Sequence, residues 1–415
     1  MVLAVLASLL VPAASATAAT PGNLGTNLAN ITYYDGAMIF ADIVKQSSDW
    51  IPQQQGAGWG EGPPLDLRPD GWPARLGNNQ YGSLVLADNT YPDGTYEVSW
   101  RGTGSFTVDG KAFSGTAGSG QVRLDGSSMV VLDLRATDPG DPLRDIAVRA
   151  PGTAADALFH PEYLRQLAPY HVVRFMDWQR TNSTFSDPVR TFTCANRVPG
   201  GYYSQGTIMG ASVETMVDLA NQTDSDPWFT IPHEATPDWV RCHAQVVAAR
   251  LEPGLTPRYE FSNETWNPAF RAFFDLGGDA DFEALQTTVA QRHNAAMDVV
   301  GDVMNANGRR YIRVLAGQAA NSWVLEQRLN TAMTRTDEIA IAPYLGVVAI
   351  LSIQLRLVIS PAGPGRNCAT GWRRTRPPRW TTGSPIMWRW HVRPARRWCP
   401  TRADSISPAI RTTMR

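Results

Sequence analysis

From Phe159 onward, apolar runs of strand length alternate with stretches whose apolar residues recur at helical spacing. The runs fall at residues 171–178, 228–232, 258–262, 311–315 and 338–344. Between them Val213, Met216, Val217 and Ala220 share one helix face, and so do Val240, Ala244, Val247 and Leu251. A third face collects Phe282, Leu285, Val289, Ala296 and Val300. Thr236 before Pro237 reads as an N-cap followed by the first helical residue. This rhythm builds a parallel sheet, either a barrel or a doubly wound sheet. No glycine-rich phosphate loop follows a run, which disfavours a doubly wound nucleotide-binding sheet. We therefore expect an α/β fold of the (β/α)8 TIM-barrel type, incomplete at its C-terminus, with the first strand in residues 24–50.

Residues 80–150 follow a different period. Tyr96, Val98 and Trp100 alternate on one face, as do Phe106 and Val108, Val122 and Leu124, and Val130, Leu132 and Leu134. Asp93-Gly94, Asp109-Gly110 and Asp125-Gly126 separate them, and such dipeptides accept the positive φ values of tight hairpins. The expected organisation is a signal peptide over 1–19, the first barrel strand and loops over 20–79, and a β-rich, sandwich-like insertion over 80–150. Barrel strands two to six then occupy 151–345, before an Arg/Pro/Trp-rich tail over 346–415.

The formal net charge of −1 averages two unlike parts. The tail holds 13 of the 37 basic residues and one of the 38 acids, which leaves 24 bases against 37 acids in the body. An acidic body argues against nucleic-acid binding, because phosphate contacts need a basic surface. Lysine occurs only at Lys45 and Lys111, so the Arg- and Trp-rich tail reads as a GC-rich frame translated out of register, and is expected to be disordered. Residues 2–14 are apolar and lead into Ala14-Ser15-Ala16 and Ala16-Thr17-Ala18, the pattern of a secretory signal. The run is shorter than the roughly 20 residues of a membrane span. A secreted, extracellular protein without a membrane partner is expected, in which Cys194 and Cys242 are candidates for one disulfide.

Ser262-Asn263-Glu264 closes one of the strand runs, with Trp266 just beyond. In a barrel the carboxyl ends of strands face the active site, where a carboxyl group that protonates a leaving oxygen is the first requirement of glycoside hydrolysis. On this segment, and on residues 172–178, 226–233 and 341–344, the chain resembles the clan A glycoside hydrolases, retaining (β/α)8 enzymes of carbohydrate metabolism. In particular it resembles bacterial secreted glycosidase-like or cellulose-binding proteins. The resemblance covers roughly residues 24–345. It implies Glu264 as general acid/base and Asn263 as partner of the sugar 2-hydroxyl. It places Tyr344 where strand six would end, near the nucleophile.

Arg174, Asp177 and Trp178 end one run and are candidates to orient carboxylates and stack on a sugar, while His233 and Trp266 are candidates to touch substrate. Trp50, Trp59 and Trp72 lie in Gly/Pro-rich loops, where plain packing competes with a sugar platform. The family's nucleophile would be a Glu ending strand seven, yet no Glu follows Glu338. Asp337 and Glu338 precede their strand, on the wrong end for that role. The expected function is a glycoside hydrolase acting on β-linked polysaccharide, inactive as written if the second carboxylate is missing. The alternative is a non-catalytic carbohydrate-binding protein on the same scaffold. Neither requires a cofactor or metal, and a monomer binding polysaccharide or oligosaccharide is expected.

Overall fold

The computed structural model describes residues 24–342, except residues 35, 90 and 320. Tyr344, the signal segment and the Arg-rich tail lie outside the described residues. Strand β1 (Gly25–Asn27) is followed by a β-rich stretch: β2 (Ile51–Gln54), β3 (Asp66–Leu67), β4 (Pro73–Arg75), β5 (Gln80–Asp88), β6 (Gly94–Val108), β7 (Lys111–Leu124), β8 (Met129–Thr137) and β9 (Arg144–Arg149). Alternation then begins with α1 (Pro161–Leu167), β10 (Val172–Arg174), α2 (Val213–Thr223), β11 (Asp226–Ile231), α3 (Pro237–Arg250) and β12 (Arg258–Phe261). It continues with α4 (Arg271–Asp275), α5 (Phe282–Ala306), β13 (Ile312–Gly317), α6 (Ser322–Ala332) and β14 (Glu338–Ile341).

The parallel sheet has six strands in the order β1-β10-β11-β12-β13-β14. Because β1 pairs directly with β10, with Thr26 opposite Val173, everything from β2 to β9 is inserted between two neighbours of one sheet. The expectation of a (β/α)8 barrel is corrected here. β1 and β14 are the two edges, no described strand joins them, and the sheet is an open, half-barrel-like surface. Closure needs about eight strands at the usual tilt for the hydrogen-bond ladder to return on itself. Six do not complete the turn.

The inserted strands form a second, antiparallel sheet in the order β2-β5-β8-β6-β7, with β9 also paired to β6, beside the small β3-β4 ribbon. The β6-β7 hairpin turns at Asp109 (φ 47°) and Gly110 (φ 77°), the positive values a tight two-residue turn demands. Tyr96, Val98, Phe106, Leu132 and Leu134 face its buried interior.

Strand parity decides what the parallel sheet does with each face. Phe229, Ile231, Tyr259 and Phe261 point to the helix side and pack with Met216, Val217, Val240, Ala244 and Val289. Their neighbours Trp228, Arg258 and Glu260 point the other way. Thr236 caps its helix as the sequence suggests, accepting from the amide of Trp239; Asp281 also caps α5, accepting from the amides of Glu283 and Ala284 at 2.9 and 3.0 Å. Among the described residues no helix is long and apolar enough to cross a membrane.

Candidate active site

The face of the sheet turned away from the helices carries paired charged side chains among apolar ones such as Trp228 and Val314. At its amino end Arg258 donates to Asp226 (2.9 Å) and Glu338 (3.0 Å), tying three strands together. In the next layer Arg174, from the end of β10, spans β11 to reach β12. Its Nη2 donates to Glu260 Oε2 at 2.8 Å and to Asn263 Oδ1 at 3.0 Å, and its Nε donates to Glu260 at 3.1 Å. Nη1 donates to Asn27 Oδ1 at 3.3 Å, and the guanidinium lies 5.3 Å from the Trp228 ring. Asn263 is fixed from its other side as well, its Nδ2 donating to Asn182 Oδ1 at 3.1 Å.

Glu260 is 1% exposed. Burial pushes its carboxyl above the ordinary value, and Arg174 pulls in the opposite direction. The carboxyl end of β12 then turns sharply, with left-handed backbone at Ser262 (φ 59°) and Glu264 (φ 43°). Such conformations cost a non-glycine residue on the order of 1–3 kcal/mol and persist only where the surroundings enforce them. One enforcing contact is Asn267 Nδ2, which donates to Glu264 Oε2 at 2.7 Å. Another is Arg328 of α6, 2% exposed, donating to Thr265 Oγ1 (2.8 Å), the Ala316 carbonyl (2.9 Å) and Gln286 Oε1 (2.9 Å). Its guanidinium also lies 5.2 Å from the half-buried Trp266 ring. Glu264 is left half-exposed at the carboxyl edge of the sheet.

The structure thus brings Arg174, Asn263 and Glu264 to one edge, with Trp266 beside them. Asp177 is half-buried just beyond β10; burial raises its carboxyl pKa, opposed by Arg174 and Arg180. Two candidates sit elsewhere. Trp178 is 1% exposed, donates from Nε1 to the Ala29 carbonyl at 3.0 Å, and packs on Phe40 and Phe175. It is core, with no ring face open to a sugar, because Phe40, Phe175 and the Ala29 carbonyl enclose it. His233 is buried between two carboxylates, its Nε2 3.0 Å from Asp275 and its Nδ1 3.5 Å from Glu234. Asp337 and Glu338 lie at the start of β14, engaged by Arg313 and Arg258. Trp72 is buried against Trp50, and Trp59 is exposed. Glu260, within the run that ends at Ser262, and Arg328, in α6, draw their roles from partners distant in sequence and carry no local signal of them. Cys194 and Cys242 are joined as a disulfide, with Cα atoms 5.9 Å apart. Among the described residues no three His, Cys, Asp or Glu side chains are grouped to hold a metal.

No family model matches the chain, and no curated protein matches it. Among solved structures it is similar to a Bacteroides uniformis beta-glucuronidase at 10% identity, over 67% of this chain and 36% of that one, with a TM-score of 0.27. It is similar to a beta-glucosidase from Kluyveromyces marxianus at 11% identity, over 37% and 18% of the two chains (TM-score 0.18). It is also similar to the salicylyl-acyltransferase SsfX3 at 10% identity, over 65% and 73% (TM-score 0.21). This chain spans about a third of the glucuronidase's length. Glycosidases are therefore among its weak structural neighbours, at TM-scores too low to carry an argument about activity.

Proposed function

We propose that this chain is a secreted carbohydrate-active protein of the glycoside hydrolase kind, with Glu264 as the group that protonates the leaving oxygen. The observation that carries the reading is the edge of β12. There Arg174 and Asn182 hold Asn263 from both sides, and the adjacent Glu264 stands half-exposed on an enforced left-handed turn. Asn263 then offers an oriented amide to a sugar hydroxyl, and Glu264 offers a proton beside it. β-Linked polysaccharide or oligosaccharide is the substrate class, taken from the sequence resemblance. The apolar leader and the Cys194–Cys242 disulfide support an extracellular location.

A second reading, a non-catalytic carbohydrate-binding protein, is favoured by Glu260. It is the carboxylate of β12 itself, four residues before Glu264, but it is sealed against Arg174 and unavailable to attack an anomeric carbon. One experiment separates the two: the 415-residue protein is assayed on a panel of chromogenic β-glycosides and for retention on insoluble polysaccharide. Turnover that falls by about 10²-fold or more in Glu264→Gln supports the hydrolase. Retention without turnover supports the binding protein, and neither turnover nor retention overturns both.

A further inference from the structure

Three strand-to-helix connections, those after β10, β12 and β13, contribute to one feature that the proposed chemistry does not use. Phe185, in the connection after β10, meets Phe274 of α4 with ring centroids 5.0 Å apart. Phe274 meets Phe273 at 5.0 Å, Phe273 meets Phe282 at 6.4 Å, and Phe282 stacks on Trp323 at 6.0 Å and 23°. Phe273, Phe274 and Phe282 belong to the connection after β12 and the start of α5, and Trp323 opens α6 after β13. Because each ring follows the carboxyl end of a strand, the row lies at the same end of the sheet as Asn263 and Glu264. Backbone contacts join the connections: the Arg271 amide donates to the Ser183 carbonyl at 2.8 Å.

This row is not interior. Phe185 is 63% exposed and Phe282 36%, and the other three rings are half-buried. A contiguous, partly exposed aromatic surface is unusual on a soluble protein and marks a binding surface. Its surroundings point to the occupant. The Arg271 guanidinium lies 5.5 Å from the Phe185 ring, and the Asp275 carboxylate, 41% exposed, stands next to Phe274. Partly exposed aromatic rings flanked by charged donors and acceptors suit the apolar patches and rim hydroxyls of pyranose rings. An anionic membrane is disfavoured, since residues 1–345 carry 24 bases against 37 acids.

We propose that the row from Phe185 to Trp323 is a binding track for an extended saccharide chain, leading along the rim to the Asn263–Glu264 edge. The proposal rests on the carbohydrate reading above and adds where the chain runs. Its test is depletion binding of the full 415-residue protein to cellulose, xylan and chitin suspensions, run beside the glycoside assay. Phe185→Ala and Trp323→Ala are each expected to weaken retention about tenfold, a loss of roughly 1.4 kcal/mol. Phe185→Tyr, which keeps the ring, restores it. Met129→Ala, at an exposed apolar side chain of the inserted sheet, serves as the control, and thermal midpoints confirm folding. Retention unchanged in both alanine variants overturns the track, as does an equal loss in the Met129 control. Phe185-dependent adhesion to phosphatidylcholine vesicles, without retention on polysaccharide, overturns it in favour of lipid. Phe185-dependent retention by a protein that turns over no glycoside keeps the track and overturns the hydrolase alone.

Discussion

Arg174 and Glu260 meet across an intervening strand, Nη2 to Oε2 at 2.8 Å, and the same Nη2 reaches Asn263 at 3.0 Å. One guanidinium therefore neutralises a buried carboxylate and orients the amide beside Glu264. A forked donor is needed for this, and lysine offers only a point charge. Removing the partner of a buried ion costs about 3–5 kcal/mol, so Arg174→Ala should lower unfolding stability by that amount in urea denaturation. Arg174→Lys should recover only part of it, and should leave the Asn263 side-chain amide resonance shifted in NMR.

Acid should destabilise the fold through two buried histidines. Burial holds His243 down to about 3, where it accepts from Gln179 Nε2 at 3.1 Å, and His293 down to about 4, where it meets the Arg335 carbonyl. Both lie below the ordinary 6.5, so between about pH 6.5 and pH 4 the unfolded chain binds protons that the folded chain refuses. Stability is complete above about pH 6.5 and falls on acidification by roughly 1.4 kcal/mol per pH unit for each histidine. Denaturation midpoints at a series of pH values should show this, with the slope about halved in His243→Gln.

The Cys194–Cys242 disulfide closes 48 residues, pinning the long connection after β10 to α3. Restricting the unfolded chain over such a loop contributes about 4 kcal/mol in the chain-entropy account. Cys194→Ser with Cys242→Ser should lower the thermal midpoint accordingly, and wild type in reductant should match the double variant.

Trp178 supplies a contrast with the rim aromatics. Trp178→Ala should cost about 3–5 kcal/mol by emptying space between Phe40 and Phe175. Its retention on polysaccharide should match wild type once folding is secured at low temperature.

Part of the candidate site was legible in the residues alone. Asn263 and Glu264 stood out because an Asn-Glu pair closing an apolar run is a local pattern, and Arg174 because it ends another. Glu260 sits in the same run as the Asn-Glu pair, but the partner that gives it a role, Arg174, lies 86 residues away. His233 and Trp178 looked like cleft residues from their place at strand ends. Burial fixed both inside, where a few ångströms of chain direction after the strand decide which way a ring points.

Periodicity, hairpin dipeptides and helix caps are local, set by dihedral preferences within a few residues, and the chain by itself determined these. The switch from period two to helical spacing near Pro151, the Asp109-Gly110 turn and the Thr236-Pro237 helix start were all determined in this way. Whether six strands close into a ring, which side chain meets Arg174, and which aromatic rings line up from Phe185 to Trp323 were decided only in three dimensions. Each depends on how distant segments curve and pack, and no short window of residues encodes that.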